Sequence, residues 1–183
     1  MKPIIILQQP SETRPAVEVH QSTSISLIRL IRAKLAAPAI DPATDAASQD
    51  PISVEFTFRS KALEAPAGIL RIEIAFKMTG AQPDSPTPVV SVDCAYAVDY
   101  TIIREGFTPS AEQVKAFKDG NAIFNVWPYF REYLQSSLVK MGLPPLTAPF
   151  LCLKPKPSSP STKPATEAKS AGKAVAKNRK PSD

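Results

Sequence analysis

An α+β fold, in which a four-stranded antiparallel sheet is followed by two C-terminal helices, is predicted by three observations. Four segments between residues 22 and 102 alternate apolar and polar side chains with a period of two. Short connections join them, which suits antiparallel pairing with one dry and one wet face. From residue 108 onward the apolar spacing changes to that of a helix, and strands first with helices last is an α+β layout.

The first strand segment, residues 22–35, places Ile25 and Leu27 in one phase and Ile28 and Leu30 in the other. A change of phase inside a strand predicts a bulge or a bend. Residues 36–51 hold three prolines and six alanines and read as a surface crossover loop. Residues 52–60 put Val54, Phe56 and Phe58 on one face. Residues 69–79 do the same with Leu70, Ile72, Ile74, Phe76 and Met78, and residues 89–102 with Val90 through Ile102.

Ser110 with Gln113 forms a capping box that opens a short helix, which Gly120 is expected to end. In the longer helix, Ile123, Trp127, Phe130, Leu134, Leu138 and Met141 recur at steps of three and four, one helical face. Asn125 is the expected N-cap, with Pro128 in the first turn, and Gly142 then Pro144-Pro145 mark the end. Trp127, Tyr129, Phe130, Leu134 and Leu138 are accordingly the candidate core and oligomer-contact residues of this helix.

At 183 residues a single domain is expected. Twenty prolines against six glycines imply long connecting segments. Cys94 and Cys152 have no metal-like spacing and form no CxxC pair, so both read as small buried hydrophobes. The opening MKPIIILQQP holds a shorter apolar run than the roughly 7–15 residues of a signal peptide. No window nears the ~20 apolar residues of a membrane span, so the expectation is a cytoplasmic protein without membrane insertion.

The charge is unevenly placed. Residues 154–183 carry seven lysines and one arginine against Glu167 and Asp183, while the rest of the chain has fourteen basic and fifteen acidic residues. That tail has no aromatic residue and too little apolar surface to offset its ordering entropy. The expected organisation is a flexible segment over 1–21, a folded domain over 22–153, and a disordered basic tail over 154–183. The tail is suited to weak contact with nucleic acid or ribosomes through its charge.

The residues offer no catalytic constellation. The chain has one histidine, His20, in the polar N-terminal segment, and no Gly-x-Ser-x-Gly elbow or glycine-rich phosphate loop. Asp93 and Asp99 share a strand face but lie six residues, about 20 Å, apart. The expectation is a protein that is not an enzyme and uses neither cofactor nor metal. What the chain does offer is apolar surface in excess of what two helices cover. Val54, Phe56, Phe58, Leu70, Ile72 and Phe150 are the candidate residues for binding extended apolar segments of other chains.

Trp127-Pro128-Tyr129-Phe130-Arg131-Glu132, followed by Gly142-Leu143-Pro144-Pro145-Leu146, resembles the end of the SecB export chaperone family. The run from residue 108 to residue 134 is closer to the SecB-like chaperones of toxin–antitoxin–chaperone modules. The resemblance implies an ATP-independent holdase, a homotetramer built as a dimer of dimers, and unfolded clients that are preproteins or an antitoxin. Two departures bear on partners. Lys154-Pro155-Lys156-Pro157 stops the second amphipathic helix of the export chaperone, and the basic tail argues against docking to the SecA ATPase. The alternative reading is a nucleic-acid or ribosome adaptor acting through the tail.

Overall fold

The computed structural model describes residues 4–9, 14–37, 52–82 and 87–155. In chain order these form β1 (Ile4–Gln9), α1 (Arg14–Ser22), β2 (Thr23–Ala36), β3 (Ser53–Leu63), β4 (Ile69–Ala81), β5 (Val90–Ile102), α2 (Ala111–Phe117), α3 (Ile123–Lys140) and β6 (Phe150–Pro155). A π-helical turn, Lys118–Ala122, joins α2 to α3. The basic tail beyond Pro155 and most of the crossover loop lie outside the described residues.

The four expected strands form one antiparallel sheet in the order β2-β5-β4-β3. Cross-strand partners share a face, and the register collects the apolar residues on one side. Tyr100 lies opposite both Leu70 and Ile25, Val98 opposite Ile72 and Ile28, and Tyr96 opposite Ile74 and Leu30. The phase change in β2 is resolved by register shifts at Ile25/Leu27 and Leu30/Arg32. Each shift absorbs one residue, so Ile25, Ile28, Leu30 and Leu35 return to the same face.

Helix α3 lies on that face, burying Trp127, Phe130, Leu134 and Leu138. Its C-terminus closes as a Schellman turn, with Leu143 N donating to Leu138 O (3.0 Å) and Gly142 N to Val139 O (3.0 Å). Gly142 takes φ +75°, a left-handed conformation that glycine adopts without penalty. The capping box is present: Gln113 N donates to Ser110 Oγ (3.2 Å) and Ser110 N to Gln113 Oε1 (2.7 Å).

Four expectations are corrected. The flexible segment expected over 1–21 contains β1 and α1. In α1, Ala16 and Val19 are buried and Pro15 occupies the first turn; this stripe is too short to stand out as a periodic pattern. Gly120 does not end the helical run, because burial of Gly120, Ala122 and Ile123 overrides its weak helix propensity. Asn125 is therefore not an N-cap: it sits inside α3 and donates Nδ2 to Tyr100 Oη at 3.2 Å. Pro128 falls inside α3 rather than in its first turn.

Candidate functional site

The site is built where β3, α3 and β6 converge. β3 is an edge strand, so its apolar residues are covered from only one lateral side. Val54, Phe56 and Phe58 face Gly80, Met78 and Phe76 of β4 and remain half-buried. Above them α3 supplies two aromatic rings. Phe130 stacks on Phe76 at 4.6 Å between centroids and 14° between planes, and Trp127 meets Phe76 at 5.7 Å. Phe56 presents its ring edgewise to both Trp127 and Phe130, at 6.3 Å each, an arrangement favoured by the ring quadrupoles.

Two side chains one helical turn apart then fix the path into β6. Trp127 Nε1 donates to Pro149 O (3.0 Å), and Arg131 Nε donates to Ala148 O (2.9 Å). The Arg131 guanidinium also lies 4.6 Å over the ring of Phe150, a cation–π contact. Ala148 and Leu151 are buried, while Phe150 is left 51% exposed. Strand β6 thus begins on a rigid shelf and offers one large aromatic ring to solvent.

The six candidate client residues separate into two groups. Phe56 meets Trp127, and Phe150 follows the Pro149 carbonyl that the same tryptophan holds, with Val54 and Phe58 alongside Phe56 on β3. Leu70 and Ile72 are core residues: Ile72 has no accessible surface and Leu70 little. They sit on a strand paired on both sides, at the end of the sheet where Tyr100 packs against Phe117 of α2, with ring centroids 4.9 Å apart. Helix α1 adds cover at that end, and it was not foreseeable from the count of two helices. Of the α3 residues, Trp127, Phe130, Leu134 and Leu138 face the sheet. Tyr129 is instead half-exposed on the outer side with Phe124 and Val139, and its carbonyl accepts from Tyr96 Oη at 3.2 Å. Burial pushes the Tyr96 hydroxyl well above its ordinary pKa, so it remains a donor.

A second apolar surface runs along β2, where Ile25, Leu27, Leu30, Ile31 and Leu35 are each 36–45% exposed. One lateral edge of this 14-residue strand pairs with β5; the other has no partner among the described residues. The opposite face of the sheet is polar and laced by cross-strand ion pairs. Arg71 grips Asp99 in two hydrogen bonds of 2.6 and 2.7 Å, Lys61 meets Glu73 at 3.1 Å, and Arg32 meets Asp93 at 3.6 Å. Among the described residues, no helix is long and apolar enough to cross a membrane.

The grip of Arg131 on the β6 lead-in was missed by sequence reasoning, which used Arg131 only as part of the Trp127–Glu132 motif. The available signal was its position four residues after Trp127, with Pro149 beyond the turn.

Comparison with known proteins bears on the fold. No family model matches the chain. Two curated relatives from Mycobacterium tuberculosis strains, the SecB-like chaperones Rv1957 and MT2006, are each 32% identical over 90 residues, covering 48% of this chain and 49% of theirs. The chain thus spans about half the length of the curated relatives it matches. Among solved structures, the M. tuberculosis Rv1957 SecB-like chaperone, in complex with a ChAD peptide from the Rv1956 HigA1 antitoxin, aligns with a TM-score of 0.62. That alignment has 22% identity and covers 74% of this chain and 96% of the other. In fold over most of its described length, and in sequence over about half of the chain, this protein is similar to the SecB-like chaperones.

Proposed function

We propose that the chain is an ATP-independent holdase that binds extended apolar segments of unfolded polypeptides, with an antitoxin the favoured class of client and exported preproteins the second. The carrying observation is the exposed Phe150 ring, held by Arg131 at the rim of the Phe56–Trp127–Phe130 cluster. It offers a fixed apolar shelf beside a strand edge, which suits recognition by alternate side chains of an extended peptide. No step of this activity needs a catalytic group, cofactor or metal. The similarity to a chaperone solved with an antitoxin peptide supports the choice of client. A cytoplasmic location fits the same role.

The same reading includes self-association. A long strand edge flanked by exposed isoleucines and leucines invites pairing with another chain and is a liability unless covered. Pairing of β2 with a second copy, and packing of the Phe124, Tyr129 and Val139 face of α3 between such pairs, would give a dimer of dimers. Each assembly would then present several shelves, and avidity would supply affinity that one shelf lacks.

The test is aggregation of a chemically unfolded protein, followed by light scattering without nucleotide. The full chain is expected to suppress scattering at near-stoichiometric ratio. Phe150→Asp should weaken suppression severalfold while leaving the fold intact. No suppression at tenfold excess of chain over client would end the holdase reading.

A further inference from the structure

We infer that β1 occupies the client's place: residues 4–9 are a tethered stand-in on the edge of β6, and an extended apolar client segment takes that edge by strand exchange. The inference rests on the holdase reading above and names the surface it uses.

Four observations carry it. First, β1 is the only strand paired with β6 among the described residues, in a two-stranded parallel sheet separate from the main one, with Ile4 opposite Phe150 and Gln9 opposite Pro155. Second, the approach to β6 is pinned to α3 by Trp127 and Arg131 through the carbonyls of Pro149 and Ala148, while β1 comes first in the element order and lies against the π-helical turn. Third, the β1 sequence, IIILQQ, is an extended apolar segment with the chemistry expected of a client. Fourth, parallel pairing is the weaker kind per residue, and an isolated two-stranded sheet is marginal in water.

Backbone hydrogen bonds along a strand edge accept almost any extended segment, so a broad client range follows without a sequence code. A short tether holds β1 near its edge at an effective concentration in the millimolar range. A client must therefore outcompete it, and segments that are short or insufficiently apolar are refused. The main sheet and α3 need not move when β1 leaves, because none of their ladders includes it.

The experiment uses the full chain and an Ile5→Pro, Ile6→Pro variant. Adjacent prolines remove an N–H in either phase of the strand, so β1 cannot keep its ladder. Circular dichroism and the emission of Trp127 establish that the variant is folded. A fluorescein-labelled peptide of residues 1–10 is the probe. It is expected to bind the variant at least tenfold more tightly than the parent, and the same peptide with the two prolines should not bind. Equal binding to both chains, or binding to neither, overturns the inference. A second measurement needs no variant: hydrogen exchange of the parent with reduced, carboxymethylated α-lactalbumin. The complex should lose protection at residues 4–9 and keep it at 150–153. Retained protection at 4–9 in a formed complex overturns strand exchange but leaves the holdase reading standing. If no complex forms, the holdase reading fails and the inference falls with it.

Discussion

Two residues on the sheet carry titration consequences. The bidentate hydrogen bonds from Arg71 hold the Asp99 carboxyl below its ordinary 3.8, against the opposing effect of burial. A depressed carboxylate pKa stabilises the fold above the unfolded value, and that stabilisation is lost as the pH falls through the folded value. Asp99→Asn is therefore expected to lower stability at neutral pH and to flatten the fall in stability below about pH 4, as read by urea unfolding at several pH values. An unchanged acid limb would remove the pair from the account. Cys94 lies between Phe76 and Ala33 on the dry face, and burial pushes its thiol up to about 12. It should stay unmodified by a thiol reagent at pH 8 until the protein unfolds, whatever the rate at Cys152. Rapid modification of Cys94 in the native protein would mean that the sheet face opens.

At the scale of elements, α3 is joined to the sheet by its aromatic pair and to β6 by two donors, and substitutions should separate these roles. Phe130→Ala removes the ring stacked on Phe76 and should cost about 3–5 kcal/mol, as large-to-small core changes do. Arg131→Ala removes one hydrogen bond and a cation–π contact at a partly exposed site, and should cost only about 1–2 kcal/mol. It should nevertheless raise hydrogen exchange across residues 148–152 selectively. The bounds of β2 to β5 were legible within a few residues because one face is buried and the alternation is strict. The first bulge in β2 was legible as a break in phase, and the second, between Leu30 and Arg32, was not. Strands β1 and β6 were not legible. Six residues are too few for a clear periodic signal, and their association joins the two ends of the folded region, which no local pattern reports. The helix start near Asn125 was misplaced because local capping preference yielded to burial of Ile123 and Val126.

For the molecule as a whole, the candidate site was half legible. Excess apolar surface is a property of composition, and the strands and the aromatic helix did converge. Which residues keep that surface is decided by sheet order. Edge strands β2 and β3 retain it, and central β4 loses it, so Leu70 and Ile72 were chosen on chemistry and excluded by topology. The same topology governs assembly. Ile31→Lys places a charge at the second bulge of the free β2 edge, where a single chain has little to lose. It should leave the thermal midpoint of dilute protein almost unchanged and shift the mass measured by light scattering toward the monomer. A parent chain that is monomeric at all concentrations would remove β2 from any interface.

The π-helical turn between α2 and α3 has a consequence for how this stretch tolerates change. Each residue in an α-helix advances about 100° around the axis, and a π-type turn accommodates one residue more than an α-helical one would. Residues 111–140 run through it as one helical rod, with Phe117 and Trp127 buried on either side of the turn. Substitutions at the exposed positions of that rod are cheap. Removing one residue between 118 and 122 would leave an ordinary α-helical turn with the flanking segments near their present phase, whereas adding one more there would swing Trp127 and Phe130 away from the sheet. This five-residue segment should therefore tolerate a deletion better than an insertion.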